Sequence, residues 1–130
     1  IDLSKNRLSN LNNQMFRHLV NIKYLNLSMN MIRSTDTPSF VYLKNIETLL
    51  LDFNFLDHLD TKTFNGLSKL QFLCLNNNRY NMVDPTVFSD LSQLKQVILD
   101  QIDLGNQKEL ENYFDSSKIS FIFYTLVNLF

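Results

Sequence analysis

Cysteine occurs once in this 130-residue chain, as Cys74, so no disulfide forms within it and no thiolate cluster can hold a metal. Glycine and proline occur twice each, and Gly66 and Gly105 stand too far apart for a glycine-rich phosphate loop. Histidine is confined to His18 and His58. Neither sign of charge is in excess: 12 Lys and Arg face 13 Asp and Glu, and a net charge of −1 offers no field to a polyanion. No secretory leader is expected at the start, where Ile1–Leu11 is mostly polar and lacks an initiator Met. A hydrophobic share of 45% excludes a disordered chain.

What is abundant is leucine together with asparagine, 23 and 17 residues respectively. Leu favours helices, whereas Asn competes with the helical backbone through its own amide, so the pair requires a special architecture. Internal repetition supplies one. Asn6, Asn30, Asn54 and Asn78 are spaced by 24 residues, as are Phe16, Phe40, Phe64 and Phe88, and Leu19, Leu43, Leu67 and Leu91. The same step carries Ile22 to Ile46, Leu70 and Leu94, and Leu25 to Leu49, Leu73 and Val97. It carries Leu27 to Leu51, Leu75 and Leu99, and Leu8 to Ile32, Leu56, Tyr80 and Leu104. Columns in register over four or five copies predict a solenoid.

Read from Phe16, the unit is F-x-x-L-x-x-I-x-x-L-x-L-x-x-N-x-I. It resembles the leucine-rich repeat family, whose L-x-x-L-x-L-x-x-N-x-L signature it reproduces over Ile1 to about Leu104. The resemblance implies an α/β fold: a curved right-handed coil with a short-stranded parallel sheet on its concave face. The 24-residue length and added Phe are similar to the typical subclass, frequent in secreted proteins and receptor ectodomains such as the Toll-like receptors.

The physics of the unit agrees with that implication. In L-x-L the two Leu point to one side of a strand and their neighbours to the other. Stacked coils then bury a core that no coil buries alone. The Asn column is expected inside the turn after each strand, its amide bonded to backbone of its own and neighbouring coils. The Phe column is expected as core filling on the convex side. Residues 1–104 are accordingly read as repeats with five strands, and 105–130 as a degenerate last repeat or C-terminal cap. At the next ladder positions stand Ile102, Asn112 and Asp115, so the pattern stops. Lys108–Phe114 reads as a short helical turn with Leu110 and Phe114 inside. Ile119–Tyr124 reads as a sixth strand with Phe121 and Phe123 inward, and as a membrane span it is too short, because a span takes about 20 apolar residues. Without cysteine-rich caps, the chain is expected to be a piece of a longer array or a short member with another kind of cap, able to oligomerise through uncapped ends.

Catalysis finds no support. Neither His shares a face with Cys74 in this register, so no Cys–His pair is expected. Asp57, His58 and Asp60 crowd on one loop but make a weak metal site, and a solvated loop is the simpler reading. No cofactor, metal or small-molecule substrate is expected. Lys23, Arg33, Lys44 and Lys69 scatter over convex and loop positions, so no nucleic acid is expected either.

Interaction does find support, on the outward columns of the sheet. These are Tyr24, Thr48, Phe72 and Gln96; Asp2, Asn26, Leu50, Cys74 and Ile98; Ser4, Ser28, Asp52, Asn76 and Asp100; and Lys5, Met29, Phe53, Asn77 and Gln101. With coils roughly 5 Å apart, Leu50, Cys74 and Ile98 adjoin, with Phe72 beside Cys74 and a polar rim of Asp52, Asn76 and Asp100. An exposed apolar strip with a polar rim is expected to hold a protein ligand or co-receptor, with Phe72 as anchor. Tyr24, Thr48, Phe53 and Gln96 complete the expected contact set. Cys74 is read as a small exposed filler rather than a reactive thiol, having no cation in its column. Asn26-Leu27-Ser28 is one possible glycosylation acceptor, whose glycan would stand on this face near Tyr24. The resemblance thus implies a recognition module on the extracellular side of a receptor, in innate immunity or adhesion. The alternative is an intracellular or matrix-associated structural scaffold.

Overall fold

A computed structural model of the chain describes residues 1–35, 38–100, 102, 104–114 and 118–124, with the side chains of Leu104 and Tyr124 set aside. In chain order the described elements are β1 (Asn10–Leu11), β2 (Tyr24–Asn26), β3 (Ser34–Thr35), β4 (Thr48–Leu50), β5 (Phe72–Cys74), β6 (Gln96–Asp100), α1 (Leu104–Tyr113) and β7 (Ser120–Tyr124). Short 3₁₀ turns lie at Asn13–Phe16 and Pro85–Phe88.

Five of these strands form one sheet in the order β2-β4-β5-β6-β7, and every pairing is parallel. The register equals the sequence period: Tyr24 pairs with Thr48, Thr48 with Phe72, Phe72 with Gln96 and Gln96 with Ser120. Each step along the sheet is therefore one repeat. The amides of Leu27, Leu51 and Leu75 extend the ladder to the carbonyls of Leu50, Cys74 and Ile98 at 2.8–2.9 Å.

The first coil departs from the expected five strands within 1–104. It contributes a single bridge, Asp2 to Asn26, instead of a strand. Its turn keeps the repeat geometry, since Asp2 accepts from the Ser4 amide at 2.8 Å as Asn26 does from Ser28 at 2.9 Å. A second small sheet, β1 with β3, also keeps the 24-residue step, Asn10 against Ser34, and had no counterpart in the pattern reading.

The core lies behind the sheet. Leu25, Leu27, Leu49, Leu51, Leu73, Leu75, Val97 and Leu99 are all fully buried. Burying one such side chain stabilises by about 1.5–3 kcal/mol before entropy is charged. Phe16, Phe40, Phe64 and Phe88 stack one above another with ring centroids 5.9, 6.3 and 6.4 Å apart. The aromatic stack ends where Phe114 and Phe121 meet Phe88 edge-on at 5.8 and 6.0 Å.

Between the strand and the Phe, the Asn ladder satisfies the turn. Asn30 donates to the carbonyls of Leu3 and Leu27 and accepts from the Leu8 amide; Asn54 donates to Leu27 and Leu51 and accepts from Ile32. Asn78 donates to Leu51 and Leu75 and accepts from Leu56. Each amide thus ties two coils together, which is why an Asn is buried in an apolar frame.

Where the ladder stops, α1 takes its place. Leu110 is fully buried and Phe114, just past the helix end, is half-buried. Asn106 grips Val83 twice, accepting from its amide at 2.8 Å and donating to its carbonyl at 2.9 Å. Strand β7 follows, with Phe121 opposite Val97 and Phe123 opposite Leu99. No helix among the described residues is long and apolar enough to cross a membrane. The sixth strand expected over Ile119–Tyr124 is present over Ser120–Tyr124, and the rest of the tail, 125–130, lies outside the described residues.

Candidate functional site

Because Leu25, Leu49, Leu73 and Val97 point inward, their strand neighbours point to the opposite face of the sheet. The parallel register then lines up Tyr24, Thr48, Phe72 and Gln96 in one row, and Asn26, Leu50, Cys74, Ile98 and Ile122 in the next. Tyr24 is 43% exposed and Ile122 39%, whereas Asn26, Thr48, Leu50, Phe72, Gln96 and Ile98 are half-buried. Leu50, Phe72 and Ile98 thus present apolar surface on three adjoining strands.

Two members of the expected strip are corrected. Cys74 is only 8% exposed and Asn76 only 7%, so neither faces solvent as the pattern suggested. Cys74 has the smallest side chain of its row and sits in the middle strand, with Leu50 on one side and Ile98 on the other. Larger neighbours close over it. Its Sγ–H donates to Asn76 Oδ1 at 2.9 Å, which draws the amide inward as well. Burial, reinforced by the Asp52 carboxylate, pushes the thiol up to about 12. It stays protonated at neutral pH and is no nucleophile.

The acidic rim is engaged from within. Asp52 accepts from the Ser28 hydroxyl at 2.5 Å. Asp100 accepts from the amides of Asn77 at 2.6 Å and Asn78 at 3.1 Å, clamping the turn of the preceding coil. Tyr80, in the Leu8 column, donates its hydroxyl to the Leu75 carbonyl at 2.5 Å; burial and the Asp100 carboxylate raise its pKa above the ordinary phenol value. Asn26 accepts from the Ser28 amide at 2.9 Å, so both ends of the glycosylation triplet are held in the face.

Beyond the strands, the column read as Lys5, Met29, Phe53 and Asn77 adopts left-handed backbone, with φ of 56°, 56°, 53° and 58°. Its fifth member, Gln101, lies outside the described residues. Phe53 is 44% exposed. The pattern reading missed what stands next to it: the Phe55 ring lies between the guanidinium carbons of Arg79, at 4.3 Å from its centroid, and Arg33, at 5.9 Å. The signal was available, because the 24-residue step places Phe55 between Met31 and Arg79.

The remaining candidates stay apart. His58 Nδ1 meets the adjacent Asp57 carboxylate, and Arg17 Nε donates to His18 Nε2 at 2.9 Å, both on the surface. Among the described residues no three His, Cys, Asp or Glu side chains converge on a point. Compared with known families, residues 1–56 and 44–104 match the profile described as Leucine rich repeat. No curated protein matches the chain.

Proposed function

The chain belongs to the leucine-rich repeat family, whose domains generally mediate protein–protein interaction and are typically not enzymes, and from that premise we propose a recognition module that holds a protein partner on the outer face of its sheet. The coils wind as a curved right-handed solenoid, the five-stranded sheet lines its concave side, and the partner seats on Leu50, Phe72 and Ile98. One observation carries the reading: these three apolar side chains stand on the adjoining strands β4, β5 and β6, Phe72 diagonal to Leu50 and Ile98 in the register, and keep solvent-facing surface on a sheet whose opposite side is a closed core. Phe72 anchors the contact, because an aromatic ring supplies large contact area at little entropic cost. Cys74, buried between Leu50 and Ile98, closes the floor of this contact surface. Tyr24, Thr48, Gln96, Asp52 and Asp100 rim it.

The 24-residue period with its Phe column supports the finer assignment, a section of a receptor ectodomain of the Toll-like or adhesion kind on the extracellular side of the plasma membrane. Selection of a displayed random-peptide library on the immobilised protein tests the site. Phe72→Asp or Leu50→Asp is expected to weaken the selected peptides at least tenfold, about 1.4 kcal/mol or more, with unchanged melting of the protein. Peptides that bind both variants as tightly as the parent chain would remove the sheet face from consideration.

A further inference from the structure

A second surface lies at the C-terminal edge of the strands, and it owes nothing to the sheet-face reading. Two neighbouring columns build it. Met29 and Phe53 are one repeat apart, as are Met31, Phe55 and Arg79. Met29, Met31 and Phe53 are 46%, 43% and 44% exposed. Met29 and Phe53 also stand in left-handed backbone, which a bulky side chain tolerates poorly. The next coil fills that turn with Asn77, the type that suits it. A large apolar residue there bears the strain and still leaves over a third of its surface in water, a combination that contact with a partner would relieve.

At the register position after Arg33 stands Asp57, whose carboxylate meets His58 rather than an arginine. Arg33 and Arg79 flank Phe55, and no carboxylate among the described residues pairs with either guanidinium. A guanidinium laid over a ring keeps its in-plane N–H donors free for a carboxylate fork. Methionine adapts its shape to whatever packs on it.

We infer that this edge binds an acidic, apolar peptide segment of a partner protein, its carboxylates on Arg33 and Arg79 and its apolar side chains on Met29, Met31 and Phe53. A purely anionic ligand would satisfy the two arginines and leave the three apolar residues in water.

Fluorescence anisotropy with three labelled synthetic peptides tests this: one alternating Glu with Leu and Phe, one alternating Glu with Ser, and one alternating Lys with Leu and Phe. The first is expected to bind at least tenfold tighter than the other two and to weaken as salt rises. Arg33→Gln with Arg79→Gln, both exposed changes, is expected to weaken it roughly tenfold or more. Met29→Gly with Phe53→Gly, which suits the backbone, is expected to weaken it too, while Phe72→Asp leaves it unchanged. Equal binding of the Glu/Ser peptide would reduce the site to anion attraction and overturn the inference. So would indifference to the arginine pair, or loss of binding in Phe72→Asp, which would move the contact to the sheet face.

Discussion

Replacing Asn54 by Ala probes the turn ladder where it is most deeply buried, since Asn54 is 3% exposed. Its Oδ1 accepts from the Ile32 amide at 3.0 Å, and its amide donates to the carbonyls of Leu27 at 3.0 Å and Leu51 at 3.1 Å. Those carbonyls are shared: Leu27 also accepts from Asn30, and Leu51 also accepts from Asn78. Alanine therefore orphans one buried donor outright, the Ile32 N–H, at a cost of about 1–3 kcal/mol. Each carbonyl loses one bond of two, a further loss of roughly 0.5–1 kcal/mol apiece. The total comes to about 3 kcal/mol. Asn6→Ala is the control, because Asn6 is exposed and its two bonds, to Leu3 and Ser4, are replaceable by water. It is expected to cost under about 0.5–1 kcal/mol. Urea unfolding followed by far-ultraviolet circular dichroism measures both, with similar m-values for parent and variants. Equal losses at the two positions would refute the claim that the ladder stabilises by tying buried backbone of adjacent coils.

Three further predictions come from two positions. Cys74 is expected to resist a thiol reagent in the native protein and to react at once in denaturant; equal rates would place the thiol on the surface. Its folded pKa of about 12 against an ordinary 9.0 means that the native state keeps a proton which the unfolded chain gives up first, so stability is full below pH 9 and falls as pH rises towards 12. Phe53→Gly is expected to change stability by less than about 1 kcal/mol, because relief of the strain at φ 53° offsets the packing lost with a ring left 44% exposed. A larger fall, read from the melting temperature, would mean that Phe53 packs against its own chain.

The periodic features were legible in the sequence because they repeat a single physical requirement. Leu25 to Val97, Phe16 to Phe88 and the Asn column recur because every coil must present the same apolar edge and the same turn donor to its neighbour, so one register locates them all. Features arising between non-equivalent residues were not legible in this way. The alternation rule places Cys74 on the outer side of the sheet, correctly, but it is blind to size. Burial there is decided by Leu50 and Ile98, which overhang a smaller residue. The same holds for Asp100, which the column view makes a rim charge and which instead clamps the amides of Asn77 and Asn78.

The conserved geometry of the repeat also explains why the candidate surfaces lie where they do. A position that serves the stack in every coil is occupied by the same type of residue four times over, as Phe16, Phe40, Phe64 and Phe88 are. A position free of that duty varies: Tyr24, Thr48, Phe72 and Gln96 share one row, and Met31, Phe55 and Arg79 another. Variation alone is neutral, since most exposed positions vary. It becomes informative when the variable residues are apolar, stand on adjoining coils and keep surface in water, as Leu50, Phe72 and Ile98 do on the sheet. It becomes more so when the backbone disfavours them, as at Met29 and Phe53. Recognition in such an array is therefore to be sought in columns that the fold leaves unconstrained and that the chain nevertheless fills at a cost to itself.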